Sequence, residues 1–252
     1  MTLIYLTFVK TSSNSPQKEI PPRMQDVIIL ALLRARLTGR YPVYRYVCIE
    51  STNNFPTAAG LASSASGLAA LAFGLAQLYR LDGDVTELAR RGSGSSCRSM
   101  KGGIVHWVTS ATEQVLICVV CLRTIILTNA TAKLVGSTQG MQRTLVTSSL
   151  FRHGRILSSR ENEKELLSAL ATKDFPSLAC VTMKESNQLH AVCLDTWPPC
   201  VYLNEFSFAL IHWVHKINEK FGRVLVKSST ICSWPNNCLV AQAVAGSLTR
   251  PM

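Results

Sequence analysis

Charged residues are scarce in this chain. Asp, Glu, Lys and Arg make up only 16% of its 252 residues, and acids are the scarcer kind, 15 against 26 basic residues, for a formal net charge of +11. A basic balance invites a nucleic-acid reading. The motifs for it are missing: Lys and Arg are scattered, with no zinc-finger spacing, no aromatic ribonucleoprotein motif and no basic block. An anionic small ligand accounts for part of the charge at least as well. No apolar run approaches the ~20 residues of a membrane span. The opening Leu3-Ile4-Tyr5-Leu6-Thr7-Phe8-Val9 is too short for a signal peptide and lacks its basic lead. The nine cysteines are therefore expected in a reducing, cytoplasmic setting. Cys118-Val119-Val120-Cys121 has CxxC spacing but sits in an apolar run with no second pair, and reads as strand core. His212 and His215 lie one helical turn apart without a neighbouring acid or cysteine cluster, so they read as helix surface or satisfied core. No metal site is expected.

What the chain has is a pair of small-residue, hydroxyl-rich turns. The first runs Asn53-Asn54-Phe55-Pro56-Thr57-Ala58-Ala59-Gly60-Leu61-Ala62-Ser63-Ser64-Ala65-Ser66-Gly67 and leads into an apolar helix carrying Leu68, Leu71, Phe73, Leu75 and Leu78. A helix apolar all round is a buried one. Its first-turn amides then point outward from a low-dielectric place, and a bound phosphate satisfies them. The bland alternative is a plain helix start, with Pro56 as the signal and small residues for packing. The second turn, Arg91-Gly92-Ser93-Gly94-Ser95-Ser96-Cys97-Arg98-Ser99, follows about thirty residues later. Its plain reading is a polar turn ahead of a strand, with Arg90 and Arg91 as a solvated helix end. Arg98 within it favours an anion site, because a planar guanidinium grips carboxylate or phosphate with two parallel hydrogen bonds.

Periodicity predicts helices over residues 25–37, 64–79, 85–91, 139–148, 161–171, 175–193 and 204–221. Strands are expected at 43–50, 104–108, 115–122, 224–227 and 238–240. Mixed strands with segregated helices give an α+β fold. At 252 residues the chain can bury a sizeable core, as one large domain or two small ones.

The segment 53–107 resembles the diphosphomevalonate decarboxylases of the GHMP kinase superfamily, whose phosphate loop lacks the Walker Gly-Lys-Ser/Thr ending. The likeness rests on the two turns quoted above. It continues more weakly through Gly136-Ser137-Thr138-Gln139-Gly140-Met141, Asp174-Phe175-Pro176-Ser177, Met183-Lys184-Glu185-Ser186-Asn187-Gln188-Leu189-His190 and Cys193-Leu194-Asp195-Thr196-Trp197-Pro198-Pro199. The resemblance implies a two-lobed fold, a ribosomal-protein-like N-lobe over residues 1–120 and a ferredoxin-like C-lobe over 121–252, truncated at both ends relative to the family. It implies ATP and Mg2+ as cofactors, mevalonate diphosphate as substrate, and a homodimer. Ala59, Gly60, Leu61, Ala62, Ser63 and Ser64 fall to ATP. Arg23, Ser93, Gly94, Ser95, Ser96, Cys97, Arg98 and Thr138 fall to the substrate, with Arg98 also catalytic.

The chain departs from the family in three places. Residues 1–20 hold nothing like its Lys-Tyr-Trp-Gly-Lys motif; Lys10 and Lys18 stand in another context. Residues 123–132 look like an extension. In Thr230-Ile231-Cys232-Ser233-Trp234-Pro235-Asn236-Asn237, the match to the family's Asp-Ala-Gly-Pro-Asn motif, Cys232 stands at the catalytic aspartate position and Trp234 at the glycine. A thiol with a reference pKa of about 8.5 is mostly neutral at neutral pH, where a carboxylate is ionised.

Overall fold

The computed structural model describes residues 2–8, 22–39, 47–54, 62–101, 104–107, 113–116, 122–127, 134–230 and 238–243. The chain divides into two compact units. The first contains strands β1 (Thr2–Phe8), β2 (Val47–Asn53), β3 (Ile104–Trp107) and β4 (Glu113–Leu116), and helices α1 (Pro22–Leu37), α2 (Ser63–Leu78), α3 (Thr86–Gly92) and the single-turn α4 (Ser96–Ser99). β1 pairs antiparallel with β2, in register from Thr2 opposite Asn53 to Phe8 opposite Val47, and β3 pairs antiparallel with β4.

The core of this unit lies where α1, α2 and α3 meet. Val27, Ala31 and Ala35 of α1 sit one turn apart, against Leu68, Leu71, Ala72 and Leu75 of α2 and Leu88 and Ala89 of α3. Small residues on α1 and α2 let the axes come close. Gly92 marks the tightest approach: a Cβ there would lie 2.8 Å from Val27 Cγ2 and 2.9 Å from Leu68 Cδ2. Arg34 of α1 ties the loop after α2, its Nη1 donating to Asp84 O and its Nη2 to Asp82 O, each at 2.9 Å. Asp84 Oδ1 in turn accepts from Thr86 N at 2.8 Å, and hydrogen bonds from the Thr86 side chain and backbone hold its carboxyl below the usual range.

The glycines of this unit give a signed prediction. Gly92→Ala forces a methyl into occupied space, and overpacking costs ~1–3 kcal/mol, more than the ~1 kcal/mol that Ala gains over Gly in a helix. Gly67, inside α2, has nothing within 4 Å of an added Cβ. Gly67→Ala is therefore expected to stabilise by ~0.5–1 kcal/mol. Urea unfolding of the two variants beside the parent checks the opposite signs; equal shifts would refute the close approach at Gly92.

The second unit contains β5 (Leu122–Leu127), α5 (Ser137–Thr147), a π-helical turn (Phe151–Arg155), α6 (Ile156–Thr172), α7 (Phe175–Asp195), α8 (Glu205–Lys220), β6 (Val226–Thr230) and β7 (Cys238–Ala243). Its antiparallel sheet has the order β5-β7-β6, with α7 and α8 packed on β6. Two helices start on side-chain caps. Asp174 Oδ1 accepts from Ser177 N at 3.2 Å, ahead of Pro176 in the first turn of α7. Asn204 and Ser207 form a reciprocal capping box on α8. Asn218 Oδ1 accepts from Leu225 N and Val226 N, pinning the start of β6 to α8.

Several expectations shift. Residues 2–8 form a strand where sequence reading gave none. Residues 122–127 form β5, paired with β7, where sequence reading placed no strand past residue 122. The π-helical turn begins ten residues, and α6 five residues, before the expected helix start at 161. α2 is buried along most of its length, but Phe73 is 57% exposed, so the helix is not covered on every side.

His190 of α7 is buried, and burial pulls its imidazole down from 6.5 to about 4. A depressed histidine stays neutral in the fold while the unfolded chain binds a proton. Stability is therefore full above about pH 6.5 and falls as pH drops toward 4, by roughly 2–4 kcal/mol over that window. Urea unfolding at both ends of the window should show this slope, and His190→Gln should flatten it. An unchanged slope in the variant would remove His190 as the cause.

Candidate functional site

The first hydroxyl-rich turn enters α2. Ala62 is the N-cap residue and provides no side-chain cap; the first turn of α2 holds no acid. Ser63 is half-buried and Ser64 exposed, and Ser66 Oγ donates to Ser63 O at 3.1 Å. The helix start thus lacks both a capping oxygen from Ala62 and a competing carboxylate, which suits an incoming anion. Ala59, Gly60 and Leu61 lie outside the described residues, as does Cys232.

The second turn folds onto the same helix. α3 ends at Gly92, and α4 packs against both α2 and α3. The run is closed by its own backbone. Ser96 N donates to Ser93 O at 2.9 Å, Arg98 N to Ser95 O at 3.3 Å, and Cys97 Sγ to Gly94 O at 3.0 Å. Ser93 N also donates back to Ala89 O at 3.2 Å. The amides of Ser93, Ser96 and Arg98 are therefore taken, so an anion here would meet side-chain donors in their place. Burial sorts those side chains into two sets. Ser93, Ser95 and Arg98 are half-exposed and Gly94 is exposed, whereas Ser96 and Cys97 have no exposed surface. Ser96 Oγ is buried without a hydrogen-bond partner. Of the substrate-side residues read from sequence, Ser93, Ser95 and Arg98 are the accessible donors in the turn; Ser96 and Cys97 hold the turn onto the helices.

The arginines before the run divide similarly. Arg91 is exposed and pairs with Glu87 one turn back at 3.2 Å, as a solvated helix end does. Exposed pairs of this kind contribute little to stability. Arg23, the second residue of α1, is exposed in the first unit. Thr138, the second residue of α5, is exposed in the second unit.

Sequence reading missed what holds α5. Asp195, the last residue of α7, has an Oδ2 that accepts from Ser148 Oγ at 2.7 Å, Leu150 N at 2.9 Å and Ser149 Oγ at 3.4 Å. Backbone donation from Leu150 is the leading cause holding its carboxyl below the ordinary value. Beside it Thr144 and Thr196 share a buried hydrogen bond of 2.8 Å, and Trp197 N donates to Thr147 Oγ1 at 2.9 Å. These contacts fix the C-terminal half of the helix whose first turn carries Thr138. A signal existed. An acid at a helix C-terminus opposes the macrodipole, and so needs donors from elsewhere.

Comparison with known proteins gives this geometry its place. Residues 12–116 match the family described as the diphosphomevalonate decarboxylase-like N-terminal domain, and residues 123–246 the mevalonate 5-diphosphate decarboxylase C-terminal domain. The X-ray crystal structure of mevalonate 5-diphosphate decarboxylase superposes with a TM-score of 0.82 at 30% identity, covering 97% of this chain and 68% of that one. A solved complex described as MDDEF with MVAPP, AMPPCP and magnesium superposes with a TM-score of 0.79 at 26% identity, covering 96% of this chain and 77% of that one. The human diphosphomevalonate decarboxylase is 45% identical over 203 residues, 75% of this chain and 50% of the relative. The chain spans 50 to 60% of the length of the first curated relatives it matches.

The fold is thus α+β of the GHMP-kinase-like class. Within that class, the chain belongs to the diphosphomevalonate decarboxylase family.

Proposed function

We propose that this chain catalyses the ATP-dependent decarboxylation of (R)-5-diphosphomevalonate to isopentenyl diphosphate, in the mevalonate route to sterols and other isoprenoids, as a cytoplasmic homodimer. The observation that carries the reading is the packing of α4, with Arg98, onto α2, whose first turn bears Ser63 and Ser64, in a chain of this family. The substrate has a diphosphate at one end and a carboxylate at the other, so its site needs forked positive charge and hydroxyl donors. Arg98 grips an anionic oxygen pair, while Ser93 and Ser95 donate from the same turn. By the family resemblance, Arg23 and Thr138 are also assigned to the substrate. Residues 59–64 hold the nucleotide phosphates, and the uncapped, acid-free start of α2 fits that role.

Among the described residues no group of three or more His, Cys, Asp or Glu could hold a metal ion. Mg2+ would enter with the nucleotide, in keeping with its habit of binding through phosphates and water. Bound MgATP supplies the phosphoryl group that turns the tertiary hydroxyl into a leaving group. By resemblance Cys232 stands at the family's aspartate position, and a thiol that is mostly neutral at neutral pH would draw the hydroxyl proton weakly.

The substitution at Cys232 favours a second reading: an impaired relative that keeps nucleotide or anion binding, or dimerisation. A coupled assay for ATP-dependent CO2 release separates the two. Release above the enzyme-free rate supports catalysis. A folded chain with no release, but with stoichiometric binding of an ATP analogue by calorimetry, rejects catalysis in favour of the second reading.

A further inference from the structure

The second unit holds a hollow that none of these roles uses. It lies where the π-helical turn, α6 and α7 meet, with a volume of about 320 Å³, at the small end of the range for ligand pockets. Phe151, Ile156, Leu189 and Val192 give it apolar walls. Ser159, Arg155 and Arg160 give it polar ones. π-Helical turns are rare and are frequent at functional sites, and here the turn delivers both Phe151 and Arg155 to the hollow.

The arginines differ in how they are held. Arg155 is mostly buried and locked: Nη1 donates to Glu185 Oε1 at 2.8 Å and Gln188 Oε1 at 3.2 Å, and Nη2 donates to Glu185 Oε2 at 2.5 Å. Asn162 Nδ2 braces the same acceptors, at 2.6 Å to Glu185 and 3.1 Å to Gln188. Burial works against ionising Glu185, but the donors from Arg155 and Asn162 outweigh it and hold its carboxyl below the ordinary value. A guanidinium has five N–H donors. The bonds to Glu185 and Gln188 occupy three of them, so Nε–H and one Nη2–H remain on a fixed fork. Arg160 is exposed and, among the described residues, takes part in no ion pair. Arg152 and His153 are also exposed on this segment, and residues 151–160 contain no acid.

We propose that this hollow binds a small anionic amphiphile, a carboxylate or phosphate head on a short apolar chain. The head meets Arg160 and the remaining donors of Arg155, and the chain lies along Phe151, Ile156, Leu189 and Val192. An apolar wall alone would accept any hydrophobe. Arg160, which takes part in no ion pair among the described residues, selects for negative charge, and the locked Arg155 contributes donors at low ordering cost.

Calorimetry on the full chain, with saturating ATP present to keep the nucleotide site filled, tests this with octyl phosphate, octanoate, octanol and inorganic phosphate. The expected result is saturable one-to-one binding of octyl phosphate or octanoate, the tighter of the two naming the head group. Octanol and inorganic phosphate should each bind at least about tenfold more weakly, as should the better amphiphile to Arg160→Gln, since a hydrogen bond to a charged group is worth about one such factor. Ser159→Phe, which fills the hollow, should abolish binding, with circular dichroism and thermal melting confirming that both variants fold. The proposal is overturned if neither amphiphile saturates, if octanol or inorganic phosphate binds as tightly, or if both folded variants bind like the parent.

Discussion

Cys232→Asp is expected to raise the rate of ATP-dependent CO2 release over the parent chain, by up to roughly 10²–10⁴, the range a positioned general base or acid contributes. The argument begins from charge. An aspartate with a reference pKa of about 3.9 is ionised at neutral pH, while a thiol near 8.5 is mostly protonated. Only the carboxylate both accepts the hydroxyl proton and stabilises the cationic side of the site. The gain should appear in kcat more than in KM, because a group acting on the reacting hydroxyl is used most strongly in the transition state. A rate unchanged in Cys232→Asp, with the protein folded and ATP bound, would mean that Cys232 does not occupy the aspartate position. A gain confined to KM would point instead to a general charge effect on binding.

How far the sequence carried this structure depends on whether a signal was local. Helices with a cap and a periodic face were legible: α7 behind Asp174 and Pro176, and α8 behind Asn204, begin within one residue of expectation. The second hydroxyl-rich run was legible as a special turn, but not that it closes on itself through Ser93, Ser96 and Arg98. β5 was not legible, because Leu122–Leu127 takes its meaning from Cys238–Ala243, more than a hundred residues away. The start of α6 was hidden by its own composition. Gly154 and the polar stretch Ser158, Ser159 and Arg160 break the apolar period, and the helix is sustained there by the Arg155–Glu185 pair with α7. The role of Asp195 was likewise tertiary, since its donors lie about 45 residues back along the chain.

The same distinction bears on the candidate site. In the second turn, sequence supplied a set of hydroxyls and Arg98; only burial divides them. Ser95 and Ser96 are equivalent on paper, yet one hydroxyl is half-exposed and the other fully enclosed. A side chain with no exposed surface in α4 acts on a ligand through the turn it shapes, so Ser96 and Cys97 are best regarded as supports for Arg98.

Arg98→Gln should therefore lower kcat/KM for CO2 release by roughly 10²–10³, since truncating one partner of a hydrogen-bonded charge pair costs on the order of 2–5 kcal/mol. Arg98→Lys should recover only part of it: an ammonium keeps the charge but loses the planar two-point grip. Stability should barely change in either variant, because the packing of α4 onto α2 rests on Cys97 and Ser96, and the one Arg98 backbone bond, to Ser95 O, survives substitution. That combination separates a ligand-gripping role from a structural one. If Arg98→Gln melted well below the parent and lost activity in proportion to unfolded chain, Arg98 would be holding the turn, and the anion would have to be met by Ser93, Ser95 and the start of α2 alone. If Arg98→Lys were fully active, charge without geometry would suffice, and the fork assigned to Arg98 would be wrong.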